Sequence, residues 1–196
     1  MKGRDSGMPD EGMWNAFYDA DCLIEKLGCT ETGWETIVEF GSGYGTFTLP
    51  AARRTAGQVI TFDIEPELTK QVQLKANEAG LTNVKAKVRD FVSQGTGLVD
   101  ECADHVMLYN ILHIEQPLSL LYEAFRVLRP GGKLSIIHWR RDIETPRGPA
   151  MEIRPSPEQC RKWAEDTGFL SLHDVDLSAC CSYHYGLVLL RPATAA

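Results

Sequence analysis

Short apolar runs alternate with amphipathic stretches along most of the chain, and this alternation predicts strands and helices in turn. Runs rich in β-branched and aromatic residues predict strands at 35–40, 58–62, 84–88, 103–109 and 133–139. Helical spacing of apolar positions predicts helices at about 46–56, from Pro66 to Gly80, and at about 117–128 and 157–168. Two further strands are predicted at 169–177 and 184–191, and no helix lies between them.

This order of elements predicts an α/β fold. Strands that alternate with helices favour a parallel sheet wrapped on both faces, which is a doubly wound architecture. The last two strands would form an antiparallel hairpin at the edge of the sheet. The expected fold is therefore seven mostly parallel strands with an antiparallel edge hairpin and helices on both faces. A chain of 196 residues can bury a core as one domain, so residues 1–196 are treated as a single domain.

The first thirty residues have no place in this sheet. Residues 1 to about 10 are small and polar and are expected to be disordered. Asp10 to Leu27 has the pattern of one amphipathic helix, which Gly28 ends. Its aromatic stripe of Trp14, Phe17 and Tyr18 indicates either core packing or a lid that closes a pocket. In the second interpretation, residues 1–30 form an N-terminal helical lid segment.

The first predicted strand runs into a glycine-rich turn, Gly41-Ser42-Gly43-Tyr44-Gly45. Glycine allows a sharp turn without a Cβ between backbone and ligand, and the amides of the next helix point at the turn. A dinucleotide fingerprint has a third glycine where this chain has Thr46, and Glu39 would repel a pyrophosphate. The same carboxylate would attract an ammonium group, which favours S-adenosylmethionine. A plain strand–helix turn is the alternative interpretation.

Composition and charge exclude few classes of function. Hydrophobic residues make up 43% and charged residues 24%, as in ordinary globular proteins. The net charge is −7 with no evident basic face, which disfavours a nucleic-acid substrate. The sequence contains no apolar run of membrane-spanning length, and its first residues do not have the pattern of a secretory signal, so a cytoplasmic location is expected.

Six cysteines are present, and their spacing fits no zinc pattern and no C-x-x-C pair. In a cytosolic chain they are expected to be free thiols, some of them buried. The adjacent pair Cys180-Cys181 leaves one alternative open, a site for a soft metal or arsenic.

Five segments, in order, resemble the motifs of the class I S-adenosylmethionine-dependent methyltransferases, in their small-molecule, type 11-like branch. These segments are residues 39–45, 59–66, 89–91, 103–113 and 123–134. The resemblance covers about residues 35–139, a little over half of the chain. It implies a Rossmann-like sheet, S-adenosyl-L-methionine as the cofactor and methyl transfer as the activity.

The resemblance also implies roles for particular residues. Glu39 and the backbone of the turn would hold the ammonium end of the methionine part, and Asp63 would accept hydrogen bonds from both ribose hydroxyls. Ile64 and Phe91 would border the adenine ring. The full set of implied cofactor-binding residues is Glu39, Gly41, Ser42, Gly43, Gly45, Asp63, Ile64, Asp90, Phe91 and Asn110.

Two of these roles have local alternatives. Asp90 would accept from the adenine amino group, but it is equally a candidate turn aspartate. Asp63 is also placed where a carboxylate stabilises a helix N-terminus. Asn110 would lie beside the methionine part, because it follows a strand whose carboxyl end faces the ligand in open α/β sheets.

The acceptor is expected to be a small molecule. The segment Asn110–His113 lacks the prolines of the nucleic-acid amino-methylating branch and the cysteine of the cysteine-nucleophile branch. Arginines in the predicted loop 140–156 would bind an anionic substrate or remain surface charge. The sequence indicates neither the acceptor atom nor the oligomeric state.

Methyl transfer needs alignment and exclusion of water, and a base only where the acceptor must lose a proton. Candidate bases are His113, His138 and His184, with Tyr18, Tyr183 and Tyr185 as hydrogen-bonding groups. His138 is judged best placed, at the end of the fifth strand, and Tyr18 and Tyr183 complete the predicted catalytic set. A structural histidine is the alternative for each. We expect Trp14, Phe17 and Tyr18 to line, with His138 and Tyr183, a pocket beside the methyl group.

Two other functions remain open from the sequence. One is an NAD-type oxidoreductase on a similar fold, which Glu39 and Thr46 disfavour. The other is a non-catalytic subunit that keeps the cofactor fold.

Overall fold

The computed structural model describes residues 9–29, 33 and 35–193. Its centre is a seven-stranded sheet in the order β3-β2-β1-β4-β5-β7-β6. The strands are β1 (Thr36–Phe40), β2 (Gln58–Asp63), β3 (Val84–Val88), β4 (Ala103–Tyr109), β5 (Leu128–Trp139), β6 (Leu170–Val175) and β7 (His184–Leu190). The pairings among β1 to β5 are parallel, whereas β7 pairs antiparallel with both β5 and β6. The predicted fold class is confirmed.

Helices cover both faces of the sheet. They are α1 (Glu11–Asn15), α2 (Ala20–Lys26), α3 (Thr48–Arg54), α4 (Pro66–Glu78), α5 (Phe91–Gln94), α6 (Pro117–Val127) and α7 (Pro157–Asp166), with a 3₁₀ turn at Met151–Ile153. Buried residues of α2, α3 and α4 pack on one face, and those of α5, α6 and α7 pack on the other. The two cores hold the sheet as a central layer.

The strand order reverses beside β1, which lies between β2 and β4. The connection after β1 leads to β2 on one side, and the connection after β4 leads to β5 on the other side. A crevice therefore opens between the carboxyl ends of β1 and β4. The glycine turn after β1 lies at this point of the sheet.

The single helix predicted from Asp10 to Leu27 is wrong, because two short helices replace it. The Asp10 carboxylate accepts hydrogen bonds from the amides of Gly12 and Met13 and caps α1. Asp19 then starts α2 by accepting from the amide of Cys22, while its own amide donates to the Cys180 carbonyl. A second N-cap held by a distant segment therefore restarts the helix. Residues 1–8, expected to be disordered, lie outside the described residues, as does residue 30 of the predicted lid.

The boundaries of the other elements differ less from the prediction. The helix predicted from residue 46 begins at Thr48, and the short α5 was not predicted. The strand predicted at 133–139 begins at Leu128, because the segment that contains two glycines stays extended. There the Gly131 amide donates to the Arg191 carbonyl, and the Arg191 amide donates to the Gly132 carbonyl.

The prediction that all cysteines are free is wrong for two of them. A disulfide joins Cys22 of α2 to Cys180, which is 158 positions later in the chain. Among the described residues, Cys29, Cys102, Cys160 and Cys181 form no disulfide. Spacing rules did not predict this disulfide, because they detect cysteines that are close in sequence. Cys22 and Cys180 come together only in the folded chain. Among the described residues, no group of three His, Cys, Asp or Glu side chains could hold a metal ion.

Within the described ranges, no helix has both the length and the apolar character needed to cross a membrane.

Candidate active site

A cavity of about 330 Å³ lies at the carboxyl ends of β1, β2 and β4. This volume is within the range of small-molecule sites. Its walls include most of the residues that the sequence assigned to the cofactor: Gly41, Ser42, Gly43, Asp63, Ile64, Asp90, Phe91 and Asn110. Glu39 and Gly45 are not part of the wall.

The glycine turn forms the floor of the cavity. Gly41 and Gly43 have φ angles of +89° and +49°, which side chains with a Cβ rarely adopt. The amides of Gly41 and Ser42 both donate to the Phe62 carbonyl at 2.9 Å, which fixes the turn against β2. The buried Ser42 hydroxyl oxygen has no hydrogen-bond partner in the described chain. The turn thus brings glycine backbone to the cavity wall, with the buried Ser42 hydroxyl oxygen unpartnered in the described chain.

Asp63 ends β2 and joins the turn to α4. One carboxylate oxygen accepts from the Gly43 amide at 2.8 Å, and the other accepts from the Glu65 amide at 3.0 Å. A carboxylate has about four acceptor positions, so two remain for a ligand. Asp63 thus contacts the backbone at the start of α4 and also lines the cavity, while its contact with ribose stays a prediction.

Glu39 lies beneath the turn, with 1% of its surface exposed. Its Oε2 accepts from the hydroxyls of Thr48 and Thr61, whereas its Oε1 is buried without a hydrogen-bond partner in the described chain. Burial raises the pKa of Glu39 to about 7, although both hydroxyl bonds act in the opposite direction. This carboxyl is therefore poised between its neutral and charged forms at neutral pH.

The predicted adenine end of the cavity is built by α5. Asp90 caps that helix by accepting from the Ser93 amide at 3.1 Å, and the residue also lines the cavity. Phe91 packs on Phe40, with ring centroids 5.4 Å apart. Ile64 lines the wall after β2.

Asn110 follows β4 with a φ of +57°, which turns its side chain into the crevice. Its Nδ2 donates to the Tyr18 hydroxyl at 2.9 Å, and that hydroxyl lies 2.9 Å from His184 Nε2. Burial raises the pKa of Tyr18, so the phenol stays protonated. Tyr18 is not part of the cavity wall, and it contacts the site through Asn110.

The N-terminal segment covers one end of the cavity, but only partly as predicted. Trp14 lines the wall. Phe17 packs edge-on against Trp139 at 5.3 Å and, like Tyr18, lies behind the wall. The expectation that Tyr183 faces this cavity is wrong, because Tyr183 lines a separate surface pocket beside Cys180. The turn between α1 and α2 directs the later aromatic residues away from the cavity.

His138 is also placed differently from the prediction. It is fully buried and is not part of the wall, because consecutive residues of a strand point to opposite faces and Trp139 takes the cavity side. His113 lines the cavity instead, and its Nδ1 lies 3.3 Å from His138 Nε2. Burial lowers the pKa of His138 to about 3 and that of His113 to about 4.

Residues 147–149 of the predicted loop form part of the wall. Arg154 holds this loop in place: it is 4% exposed and donates to the carbonyls of Pro149, Arg140 and Arg147. Sequence reasoning did not assign Trp139 or Pro149 to the site, and no local signal marks them. Their place depends on the loop fold.

Comparisons with known proteins agree with this geometry. Residues 37–132 match the family described as "Methyltransferase domain". Ribosomal protein L11 methyltransferase of Dechloromonas aromatica is 32% identical over 102 residues, covering 52% of this chain and 31% of that protein. Ubiquinone biosynthesis O-methyltransferase of Xanthomonas oryzae pv. oryzae is 32% identical over 101 residues, covering 50% and 40%.

The fold extends the match beyond these segments. The crystal structure of a SAM-dependent methyltransferase from Aquifex aeolicus has a TM-score of 0.78 and 24% identity, covering 92% of this chain and 93% of that one. The chain spans between 31% and 40% of the length of the two curated relatives named above. On the family match, residues 37–132 belong to the methyltransferase domain family, and the whole chain shares its fold with the S-adenosylmethionine-dependent methyltransferase from Aquifex aeolicus.

Proposed function

We propose that this protein transfers a methyl group from S-adenosylmethionine to a small-molecule acceptor. One observation carries the proposal: a single cavity is lined both by the predicted cofactor residues and by Trp14, His113 and Trp139. S-adenosylmethionine, the cofactor of this family, supplies a methyl group activated by a positively charged sulfur. The chain then has to bind the cofactor and the acceptor, align them and exclude water.

The residues present fit that cofactor. Asp63 keeps two free acceptor positions toward the cavity, which suits two ribose hydroxyls. Glu39 offers a buried oxygen without a partner in the described chain, and an ammonium group nearby would favour its charged form. Asp90 and Phe91 would bind adenine, and Asn110 would contact the methionine part. These roles remain proposals.

A small acceptor is supported by the size of the cavity. Its volume of about 330 Å³, with Trp14 and residues 147–149 in the wall, is within the range of small-molecule sites. The named relatives do not choose between acceptors, since one is an O-methyltransferase of ubiquinone biosynthesis and the other a methyltransferase of a ribosomal protein. The net charge of −7 disfavours a nucleic-acid acceptor.

The cytoplasmic location stays a prediction, and one feature opposes it. The Cys22–Cys180 disulfide is typical of proteins from oxidising compartments.

Calorimetry followed by an acceptor screen tests the proposal. The wild-type protein should bind S-adenosylmethionine and S-adenosylhomocysteine but not NADH. It should then release S-adenosylhomocysteine with at least one member of a small-molecule library. Tight binding of NADH without binding of S-adenosylmethionine would support the oxidoreductase alternative. Cofactor binding without turnover of any acceptor would support the non-catalytic subunit.

A further inference from the structure

His113 and His138 form a chain of hydrogen bonds that ends in the cavity. His113 Nδ1 lies 3.3 Å from His138 Nε2, and His138 Nδ1 lies 3.4 Å from the Trp139 carbonyl oxygen. His113 is in the cavity wall, as are Trp14 and Trp139. In the described chain, no hydrogen bond is formed by His113 Nε2.

The carbonyl at the far end of this chain fixes where the protons are. His138 is fully buried, and burial lowers its pKa to about 3, so its ring is neutral and carries one proton. A carbonyl oxygen only accepts, so that proton is on His138 Nδ1. His138 Nε2 is then an acceptor, and the proton of His113 must be on its Nδ1. The remaining lone pair, on His113 Nε2, is left for the cavity.

The surroundings keep His113 neutral. Burial lowers its pKa to about 4. The buried Arg154 guanidinium lies close enough to lower the pKa of both rings further, and it is bonded to main-chain carbonyls. Arg154 is not part of the cavity wall, whose charged groups in the described chain are Arg89, Arg147, Asp63 and Asp90.

We propose that His113 is the general base of this protein and that its acceptor is an aromatic hydroxyl, a phenol or enol. The proposal rests on the methyltransferase function proposed above. A neutral imidazole nitrogen accepts a hydrogen bond from a hydroxyl. Trp14 and Trp139, with Ile111 and Ile114, contribute apolar side chains to the cavity wall, which suits an aromatic ring. An ammonium acceptor is disfavoured by the nearby arginines.

The step balances in atoms and charge. The acceptor oxygen forms a bond to the methyl carbon as the carbon–sulfur bond breaks, and the electron pair of that bond stays on sulfur. The hydroxyl proton moves to His113 Nε2, which becomes an imidazolium. One positive charge thus leaves the sulfonium and one appears on the imidazole. His138 is a positioning residue, because it only accepts from His113 Nδ1 and so directs Nε2 at the acceptor.

Nitrogen-15 NMR of the histidine rings tests the proton arrangement without any activity. In the cofactor-free protein at neutral pH, His113 and His138 should both carry their proton on Nδ1. His113→Gln removes and so assigns one set of signals, and His173→Gln, at an exposed position of β6, is the matched control. A proton on His113 Nε2, or a doubly protonated His113, would overturn the proposal.

Phenol, titrated into protein saturated with S-adenosylhomocysteine, tests the acceptor class. The His113 Nε2 signal should shift as phenol donates to it, while the His173 signals stay fixed. A phenol-saturated sample with an unchanged Nε2 signal, or no phenol binding, would rule out the aromatic hydroxyl.

Kinetics with an acceptor from the screen tests the role of each histidine. His113→Gln should lower kcat by about 10²–10⁴-fold without changing the Kd for S-adenosylhomocysteine. The loss should shrink for more acidic phenols, which need no base. His138→Gln, which can still accept from His113, should keep more activity than His138→Leu. Equal kcat in wild type and His113→Gln would refute the base. Failure of the wild type to bind S-adenosylmethionine would instead refute the proposed function.

Discussion

The buried Glu39 carboxyl should make the stability of this protein depend on pH in a predictable direction. Its pKa is about 7 in the folded chain, against 4.5 for the ordinary group, and burial is the main cause. Between these values the folded state keeps the proton and the unfolded chain has released it. The free energy of unfolding therefore falls as the pH rises, and the stabilisation present below pH 4.5 is lost by about pH 7. The difference corresponds to about 3 kcal/mol.

Glu39→Gln isolates this effect. Glutamine cannot ionise, and its oxygen can still accept from Thr48 and Thr61. At about pH 8 the variant should be more stable than wild type by up to about 3 kcal/mol, and the gain should vanish near about pH 4. Glu67→Gln, at an exposed position, is the matched control.

Urea unfolding of wild type and both variants, from about pH 4 to about pH 9, measures this difference. The comparison with the variant matters, because burial lowers the pKa of His138 and His184 and makes stability rise over part of the same range. A stability difference between wild type and Glu39→Gln that does not change with pH would refute the reasoning.

The same variant tests the proposed contact with the cofactor. An ammonium group favours the charged carboxylate, so binding of S-adenosylhomocysteine below about pH 7 should release a proton from Glu39. Glu39→Gln should weaken the binding of S-adenosylhomocysteine at least tenfold. It should leave 5′-methylthioadenosine, which lacks the amino-acid part, unaffected. Equal loss for both ligands in calorimetry would remove Glu39 from that contact.

Three further predictions concern the cofactor, the lid and the disulfide. Asp63→Asn should lower S-adenosylhomocysteine affinity at least tenfold by calorimetry, since charge-assisted hydrogen bonds contribute about 1.5–3 kcal/mol each; unchanged affinity would exclude Asp63 from the site. Trp14→Ala should raise the acceptor KM more than the cofactor Kd, and an equal rise in both would contradict the lid. Replacing Cys22 and Cys180 together by Ser opens a loop of 158 residues. In the chain-entropy model this lowers the free energy of unfolding by about 4–5 kcal/mol. Cys181→Ser is the control, and identical urea midpoints would contradict the stabilisation.

The sequence determined the sheet and brought the predicted cofactor-binding residues to one cavity. Apolar runs fix where strands lie, and parallel strands bring their carboxyl ends to one edge. Residues at or just beyond the carboxyl ends of strands, such as Asp63, Asp90 and Asn110, therefore meet in one cavity. The two late strands without a helix between them were enough to indicate the antiparallel edge.

Only the tertiary structure decided the arrangement of the N-terminal segment and the proposed acceptor site. The break between α1 and α2 depends on Asp19 bonding to the Cys180 carbonyl, and the disulfide joins the same two segments. Contacts across 158 positions leave no periodic trace in the sequence, so neither was predictable.

The choice between His138 and His113 shows the same limit. Sequence position placed both near the end of a strand, but only the pleat of β5 shows that Trp139, and not His138, faces the cavity. The proposed general base is therefore not His138 but its hydrogen-bonded neighbour His113. Sequence patterns give the position of a residue along an element, whereas the direction of its side chain depends on which face packs against the core.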